Sequence, residues 1–233
     1  MGIWGNRHLV SLRRRPRFLR GAYMERALVA PVIRTNRLIL RAHRLEDAAE
    51  WHAIVNDPRT RQFLHWPARD EIASRQHLEH RTRHTKLWQA DDFLALAMEL
   101  DGVLIGDVSM HLRSTDGPTR SAEIGWILDS RYSGNGYATE ATAAMLALAF
   151  EVLEAQWVTA IILKGNDRSV ALAERLGFLP VAAARSHNSY LMPGLTWDER
   201  GAQIQRRFGI KLAEAEAEFP SETRLRPLAA KLH

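Results

Sequence analysis

The sequence contains no cysteine, and this absence excludes several kinds of chemistry. Without a thiol there is no disulfide, no thiolate metal site and no cysteine nucleophile. A reducing compartment is allowed but not required. The sequence also lacks a run of about 18 apolar residues, which excludes a membrane-spanning helix. The 233 residues are 46% hydrophobic and 25% charged, the balance of an ordinary globular chain.

Acidic residues are absent from residues 1–24, and this segment carries the basicity of the chain. Its six basic residues are Arg7, Arg13, Arg14, Arg15, Arg17 and Arg20. The whole chain has 32 basic and 27 acidic residues, so removing the six leaves 26 against 27 and a charge of −1. Such a segment could bind RNA or an anionic membrane, or it could be a transit peptide. The third alternative is that the start codon has been placed too early and that Met24 is the true first residue. We predict a basic N-terminal extension over 1–32, one domain over 33–210 and a C-terminal tail over 211–233.

Hydrophobic periodicity predicts the order β-α-α-β-β-β-α-β-α-β. The predicted strands are 35–41, 93–100, 103–112, 121–128 and 158–163, with one or two more in 178–203. The predicted helices are 45–55, 70–88, 136–153 and 169–176. Three consecutive strands followed by a strand–helix–strand unit favour an α/β (α+β) fold, with a mixed central sheet flanked by helices.

A glycine-rich loop, Ser133-Gly134-Asn135-Gly136-Tyr137-Ala138, separates strand 121–128 from the long helix. Glycines let the backbone approach an anion, and the first N–H groups of a helix point towards it. The pattern predicts a phosphate or pyrophosphate site, with a plain glycine-rich turn as the alternative. Neither the Rossmann fingerprint nor the Walker loop fits its spacing.

Three ordered blocks resemble the GNAT acetyltransferase superfamily. Ala122-Glu123-Ile124-Gly125-Trp126 followed by Gly134–Ala141 resembles its acetyl-CoA motif, and Asn166–Ser169 leading to Arg175–Phe178 resembles the next block. Thr35–Arg41 followed by Glu46-Asp47-Ala48 is similar to the opening of the RimJ/RimL ribosomal-protein N-acetyltransferase type. The resemblance covers about 33–182 and implies the GNAT acyl-CoA N-acyltransferase fold, with acetyl-CoA as co-substrate and no metal.

The resemblance also implies which residues bind acetyl-CoA. The superfamily's pyrophosphate loop reads Arg/Gln-x-x-Gly-x-Gly/Ala, which falls here on Ser133, Gly136 and Ala138. Ser133 departs from that pattern, so a charged or amide side chain is missing while the main-chain N–H groups remain. The implied binding residues are Trp126, Ile127, Leu128, Ser133, Gly134, Asn135, Gly136, Tyr137, Ala138 and Thr139, with Asn166 on the pantetheine side.

Amide formation from a thioester needs a neutral amine, a stabilised oxyanion and a protonated leaving thiolate. Glu123 is the predicted general base, because apolar neighbours would raise its pKa and because it resembles the strand glutamate of the family's histone acetyltransferases. A solvent-facing strand residue is the alternative. The resemblance places oxyanion-stabilising N–H groups near Ile127 and Leu128. Ser169 resembles the RimJ/RimL general acid, the alternative being a polar helix-terminal residue, and Tyr190 is held in reserve.

Two further groups of residues carry weaker signals. His77, His80 and His84 share helical spacing, but their highly charged helix favours a solvated face over a metal site. Phe63, His65 and Trp66 either line an acceptor groove or pack as a loop. Trp197-Asp198-Glu199 departs from the apolar pattern of the family's last strand.

We therefore predict a cytoplasmic monomer or homodimer that transfers acetyl to a primary amine by direct attack in a ternary complex. The resemblance to the RimJ/RimL type favours a protein N-terminal α-amine of the ribosomal-protein type as the acceptor. An α-amine, with a pKa of about 7.7–8.0 against 10.4 for lysine, also needs less help to become neutral at neutral pH. The alternatives are a small amine (an amino acid, polyamine or antibiotic) and a catalytically silent acyl-CoA-binding module whose basic segment docks on RNA.

Overall fold

A computed structural model describes residues 21–64, 66–212 and 217–218. The strands are β1 (Tyr23–Val29), β2 (Ile33–Arg34), β3 (Ile39–Ala42), β4 (Lys86–Gln89), β5 (Phe93–Leu100), β6 (Val103–Ser114), β7 (Ser121–Leu128), β8 (Trp157–Leu163), β9 (Leu179–Ala183), β10 (His187–Pro193), β11 (Lys211–Leu212) and β12 (Ala217–Glu218). The helices are α1 (Ala48–Asn56), α2 (Pro58–Arg61), α3 (Glu71–Thr82), α4 (Tyr137–Ala147), α5 (Asp167–Leu176) and α6 (Gly194–Phe208).

A nine-stranded mixed sheet in the order β11-β2-β3-β5-β6-β7-β8-β10-β9 forms the centre of the molecule. Among its described pairs, β7 with β8 is parallel, and the others are antiparallel. The parallel pair needs a crossover, which α4 supplies. The predicted fold class, a mixed α/β sheet flanked by helices, is confirmed.

Each face of the sheet has its own apolar core. The larger core includes α4, which is alanine-rich and buried from Thr139 to Ala147. The smaller core lies under α1 and α3 and contains Trp51, Ile54, Leu78 and Ala97. Because β-strand side chains alternate between faces, β7 sends Trp126 to the larger core and Ile127 to the smaller one.

Several predicted elements are wrong in extent. Helix 70–88 ends at Thr82, and Lys86–Gln89 is instead the strand β4, paired with β1 in a separate sheet with β12. Strand 35–41 begins only at Ile39, because the Thr35 hydroxyl bonds the backbone of Leu38 and closes a turn.

The C-terminal half contains a helix that sequence reasoning missed. The region 178–203 holds β9 and β10 as expected, but Trp197-Asp198-Glu199 lies in helix α6 and not in a last strand. Trp197 is buried and stacks on Phe150 with 5.4 Å between ring centroids. The departure from a strand pattern is therefore the signature of an amphipathic helix.

The predicted domain boundary at residue 32 divides a packed element from its core. Strand β1 lies within the predicted extension, yet Met24 and Leu28 are buried in the larger core. The six arginines of the basic segment, and residues 213–216 and 219–233 of the predicted tail, lie outside the described residues. The described helices are all too short or too polar to cross a membrane.

Candidate active site

A cleft opens between β7 and β8 because their pairing stops halfway. The register joins Ser121–Ile124 to Trp157–Ala160 and goes no further. Beyond this point residues 125–128 pair only with β6, and residues 161–163 pair only with β10. The inner edge of β7 thus presents main-chain N–H and C=O groups to a ligand along Gly125–Leu128. These residues include Trp126, Ile127 and Leu128, which the sequence predicted as binding residues.

The glycine-rich loop leads from the end of β7 into the amino end of α4. Gly134 and Gly136 have φ of +87° and +81°, a left-handed conformation that favours glycine. Gly136 is the N-cap of α4, and no side chain caps this end. The first N–H groups of the helix therefore remain available to an anion, beside the positive end of the helix dipole. This exposed cradle, together with the open edge of β7, fits the phosphate and pantetheine parts of acetyl-CoA.

A buried carboxylate ties this loop to the turn before β3. Glu140, in the first turn of α4, is 1% exposed and accepts hydrogen bonds from the Thr35 hydroxyl at 2.6 Å and from the Arg37 N–H at 2.9 Å. Its other oxygen lies 2.7 Å from Arg37 Nε and 2.6 Å from Nη2. Arg37 and Thr35 belong to the block that resembles the RimJ/RimL opening, but sequence reasoning gave them no role in the site.

Glu123 lies on the face of β7 opposite Trp126, at the closed end of the cleft. Its side chain is 22% exposed and forms an ion pair with Arg113 of β6 at 3.0 Å. Its Cα partner on β6 is His111, whose pKa is lowered to about 3 by burial and by the charges of Arg113 and Arg81. Glu123 is thus half-buried beside a neutral imidazole, neither free in solvent nor enclosed.

Ser169 lies in the first turn of α5, on the other side of β7. Its hydroxyl accepts a hydrogen bond from Trp126 Nε1 at 3.2 Å. Asn166 caps the same helix, with its side chain accepting from the Ser169 N–H at 3.3 Å. Ser169 and Asn166 therefore border the cleft from the α5 side, while Glu123 approaches it from the α1–α3 side. Tyr190, the reserve candidate, is buried in the larger core.

A cluster of buried charges supports the α1–α3 side. Asp107 is 1% exposed and lies 2.6 Å from His43 Nε2 and 2.9 Å from Arg81 Nη1. Burial alone would raise the pKa of Asp107, but Arg81 and the bond with His43 lower it below its ordinary value. Arg41 of β3 bonds both oxygens of Asp47, the residue that precedes α1.

The predicted solvated histidine face is wrong for His77 and His84, whereas His80 is exposed as predicted. His77 accepts a hydrogen bond from Trp51 Nε1 at 3.2 Å, and burial with the charges of Arg81 and Arg69 lowers its pKa to about 3. His84 follows the end of α3 and is buried against Phe93. Among the described residues, no group of three or more His, Asp or Glu side chains could hold a metal ion.

The loop between α2 and α3 contains the residues predicted to lie on the acceptor side of the cleft. Phe63 and Trp66 are half-buried in the loop between α2 and α3, and Trp66 packs on His77 with 5.3 Å between rings. His65, predicted with them, lies outside the described residues. A separate cavity of about 450 Å³ between the end of α4 and α6 includes Phe150 and Trp197, and none of the predicted site residues lines it.

The chain belongs to the GNAT acetyltransferase family, whose members are acetyl-CoA-dependent N-acetyltransferases: the acetyltransferase (GNAT) domain matches residues 37–179, more than half of the sequence. This match contains β7, the glycine-rich loop, α4, β8 and α5, the elements that build the cleft. The family predicted from the sequence, with acetyl-CoA as its co-substrate, is therefore confirmed.

Similar proteins include one whose name refers to the ribosome and two acetyltransferase-fold structures. A Bacillus subtilis (strain 168) protein named "Putative ribosomal N-acetyltransferase YdaF" is 39% identical over 85 residues, which are 36% of this chain and 45% of that protein. The chain therefore aligns with less than half the length of that relative. The structure of Mycobacterium smegmatis RimJ in complex with CoA-disulfide matches with a TM-score of 0.61 at 22% identity, over 79% of this chain and 96% of that chain. Microcin C7 self immunity acetyltransferase MccE, in complex with acetyl-CoA and AMP, matches with a TM-score of 0.55 at 19% identity, over 68% and 93% of the two chains.

Proposed function

We propose that this protein transfers the acetyl group of acetyl-CoA to a primary amine, and that the amine is a protein N-terminal α-amine of the ribosomal-protein type. The observation that carries the transfer reaction is the open edge of β7 leading into the uncapped amino end of α4. The match to the YdaF name supports the class of acceptor. The fold similarity to RimJ is consistent with it.

The residues have separate roles in the proposed reaction. Acetyl-CoA supplies the activated thioester, and the main chain at Ile127 and Leu128 polarises its carbonyl oxygen. Glu123 accepts the proton of the attacking amine from the α1–α3 side. Ser169 donates a proton towards the leaving thiolate from the α5 side, where Trp126 orients its hydroxyl. The two predicted catalytic residues thus act from opposite faces of β7. In this arrangement the amine attacks the thioester directly, with the base on one side and the acid on the other.

Calorimetric titration of acetyl-CoA into the full chain tests the co-substrate site. We expect micromolar binding by the wild-type chain and loss of binding in Gly136→Glu, which adds a side chain and a negative charge to the cradle. An absence of binding to the wild-type chain would contradict the proposed function. Ribosomal-protein N-terminal peptides and small amines are then compared as acceptors, and a preference for small amines would replace the proposed acceptor.

The general-base role predicts a separation between turnover and binding. We expect Glu123→Gln to lower kcat by about 10²–10⁴-fold, because the amine loses its proton acceptor, while the affinity for acetyl-CoA stays the same. Steady-state kinetics with the best acceptor peptide and calorimetry with acetyl-CoA measure the two quantities. Equal turnover in both proteins would remove Glu123 from the mechanism.

A cytoplasmic location and an RNA contact through residues 1–24 are further proposals. The six arginines and the absence of acidic residues support the RNA contact, which predicts binding that weakens steeply with salt. Deletion of residues 1–23 abolishes that binding if the segment carries it, and unchanged binding after the deletion would contradict the proposal.

A further inference from the structure

The pyrophosphate loop of this chain lacks the cationic or amide side chain that its family pattern places at position 133. Ser133 has a short, neutral side chain, so it offers a phosphate no positive charge. The main-chain cradle would otherwise hold a doubly charged pyrophosphate with N–H groups and the helix dipole alone. A cation from elsewhere in the chain would supply the charge that position 133 lacks.

Arg37 lies where such a cation is needed. Its Nη1 donates to the Asn135 carbonyl oxygen at 2.9 Å, in the middle of the loop. Its Nη2 would be 3.6 Å from a Cβ placed on Gly136, the N-cap of α4. The guanidinium also stacks over the Tyr137 ring, with 4.5 Å between Cζ and the ring centroid. Arg37 thus contacts Asn135 and Tyr137 and lies beside Gly136, although it is about a hundred positions earlier in the chain.

The contacts that hold Arg37 leave part of its guanidinium group accessible. A guanidinium carries five N–H donors, and the contacts of this side chain use three of them, two on Glu140 and one on Asn135. The buried Glu140 carboxylate fixes the inner edge, while 41% of the Arg37 side chain is exposed. The planar fork suits phosphate oxygens, and its position is set before any ligand arrives.

We infer that Arg37 is a phosphate-binding residue of the acetyl-CoA site, which replaces the side chain missing at position 133 and is positioned by Glu140. The inference rests on the proposed function, because it assigns a partner to the phosphates of its co-substrate. Towards the phosphates Glu140 acts through Arg37, so it is a positioning residue.

The test compares acetyl-CoA with acetyl-pantetheine, which lacks the phosphates, by calorimetry on the full chain. We expect Arg37→Gln to weaken acetyl-CoA binding by about tenfold or more, the loss of a charge-assisted hydrogen bond, with acetyl-pantetheine binding unchanged. Arg37→Lys keeps the charge without the fork, and we expect an intermediate affinity. Arg75→Gln, which removes an equal charge from the exposed face of α3, is the matched control and should bind as the wild type does.

Rescue separates a phosphate contact from a structural role. Restoring the family residue in the double variant Arg37→Gln/Ser133→Arg should recover most of the acetyl-CoA affinity. If Arg37→Gln binds acetyl-CoA as tightly as the wild type, the inference is wrong. If the double variant stays weak, or acetyl-pantetheine binding falls equally, Arg37 only shapes the loop, which also overturns the inference. A wild-type chain that binds no acetyl-CoA would instead overturn the proposed function, and the inference with it.

Discussion

The buried Asp107 carboxylate illustrates how single residues set the stability of the acceptor side. It is surrounded by His43 and Arg81, and all three are nearly inaccessible to water. A buried ion pair that loses one partner leaves an uncompensated charge, which is far more costly than the pair is favourable. The network therefore fixes the relative positions of β3, α3 and β6, beneath the face where Glu123 lies.

Replacing one member of this cluster should be strongly destabilising. We expect Asp107→Asn to lower the free energy of unfolding by about 3–5 kcal/mol, because Arg81 stays buried without its counter-charge. Urea denaturation followed by circular dichroism measures the change. Glu79→Gln, which breaks the exposed pair with Arg75 at 3.9 Å, serves as the control, with a change below about 1 kcal/mol. Similar losses in the two variants would contradict this account.

At the scale of elements, helix α6 packs against α4, and a glycine within it makes room for a buried side chain. A Cβ on Gly201 would lie 2.6 Å from Trp197 Cε2, one helical turn earlier. Trp197 itself is fixed between α6 and Phe150. The glycine therefore makes room for a buried indole. The packing of that indole offsets the poor helix propensity of glycine.

The substitution Gly201→Ala compares the cost of crowding Trp197 with the gain in helix propensity. Alanine is favoured over glycine in a helix by about 1 kcal/mol, yet we expect Gly201→Ala to destabilise the protein by about 1–3 kcal/mol through overpacking. Thermal denaturation compares it with Gln203→Ala, an exposed site on the same helix with an expected change within about 0.5 kcal/mol. A rise in stability for Gly201→Ala would show that the indole moves freely.

The elements differ in how far sequence could predict them. The glycine-rich loop and α4 were predictable, because two glycines stand before a long stretch of apolar residues at helical spacing. Strand β4 was not, since four residues carry almost no alternation and its partner β1 lies about sixty positions away. The Arg37–Glu140 pair was missed for the same reason: neither residue signals a partner 103 positions distant. The roles of Glu123 and Ser169 remain predictions.

At the scale of the whole molecule, two partly buried, neutral histidines make stability depend on pH. The pKa of both His77 and His111 is lowered from 6.5 to about 3, chiefly by burial. In the unfolded chain these side chains bind protons below about pH 6.5, whereas in the native state they do not. Their contribution to stability is therefore complete above pH 6.5 and is lost as the pH falls towards 3.

Removing one histidine should flatten this dependence. Between pH 7.5 and 5.0 we expect His111→Gln to lose about 2 kcal/mol less of its unfolding free energy than the wild type, because one fewer side chain is protonated on unfolding. Urea denaturation at the two pH values gives the difference between the slopes. Parallel slopes in the two proteins would mean that His111 is already charged in the native state.

The half-finished pairing of β7 with β8 also has a consequence for folding kinetics. The strands β5, β6 and β7 pair through two short hairpin connections, whereas β8 joins β7 only after a crossover of 28 residues, from 129 to 156. Non-local parallel pairing closes a large loop before it gains contacts, so it forms slowly. The active-site cleft lies at this seam. We therefore expect ligand-binding competence to appear in a late phase of refolding, after the β5–β6–β7 hairpins have formed.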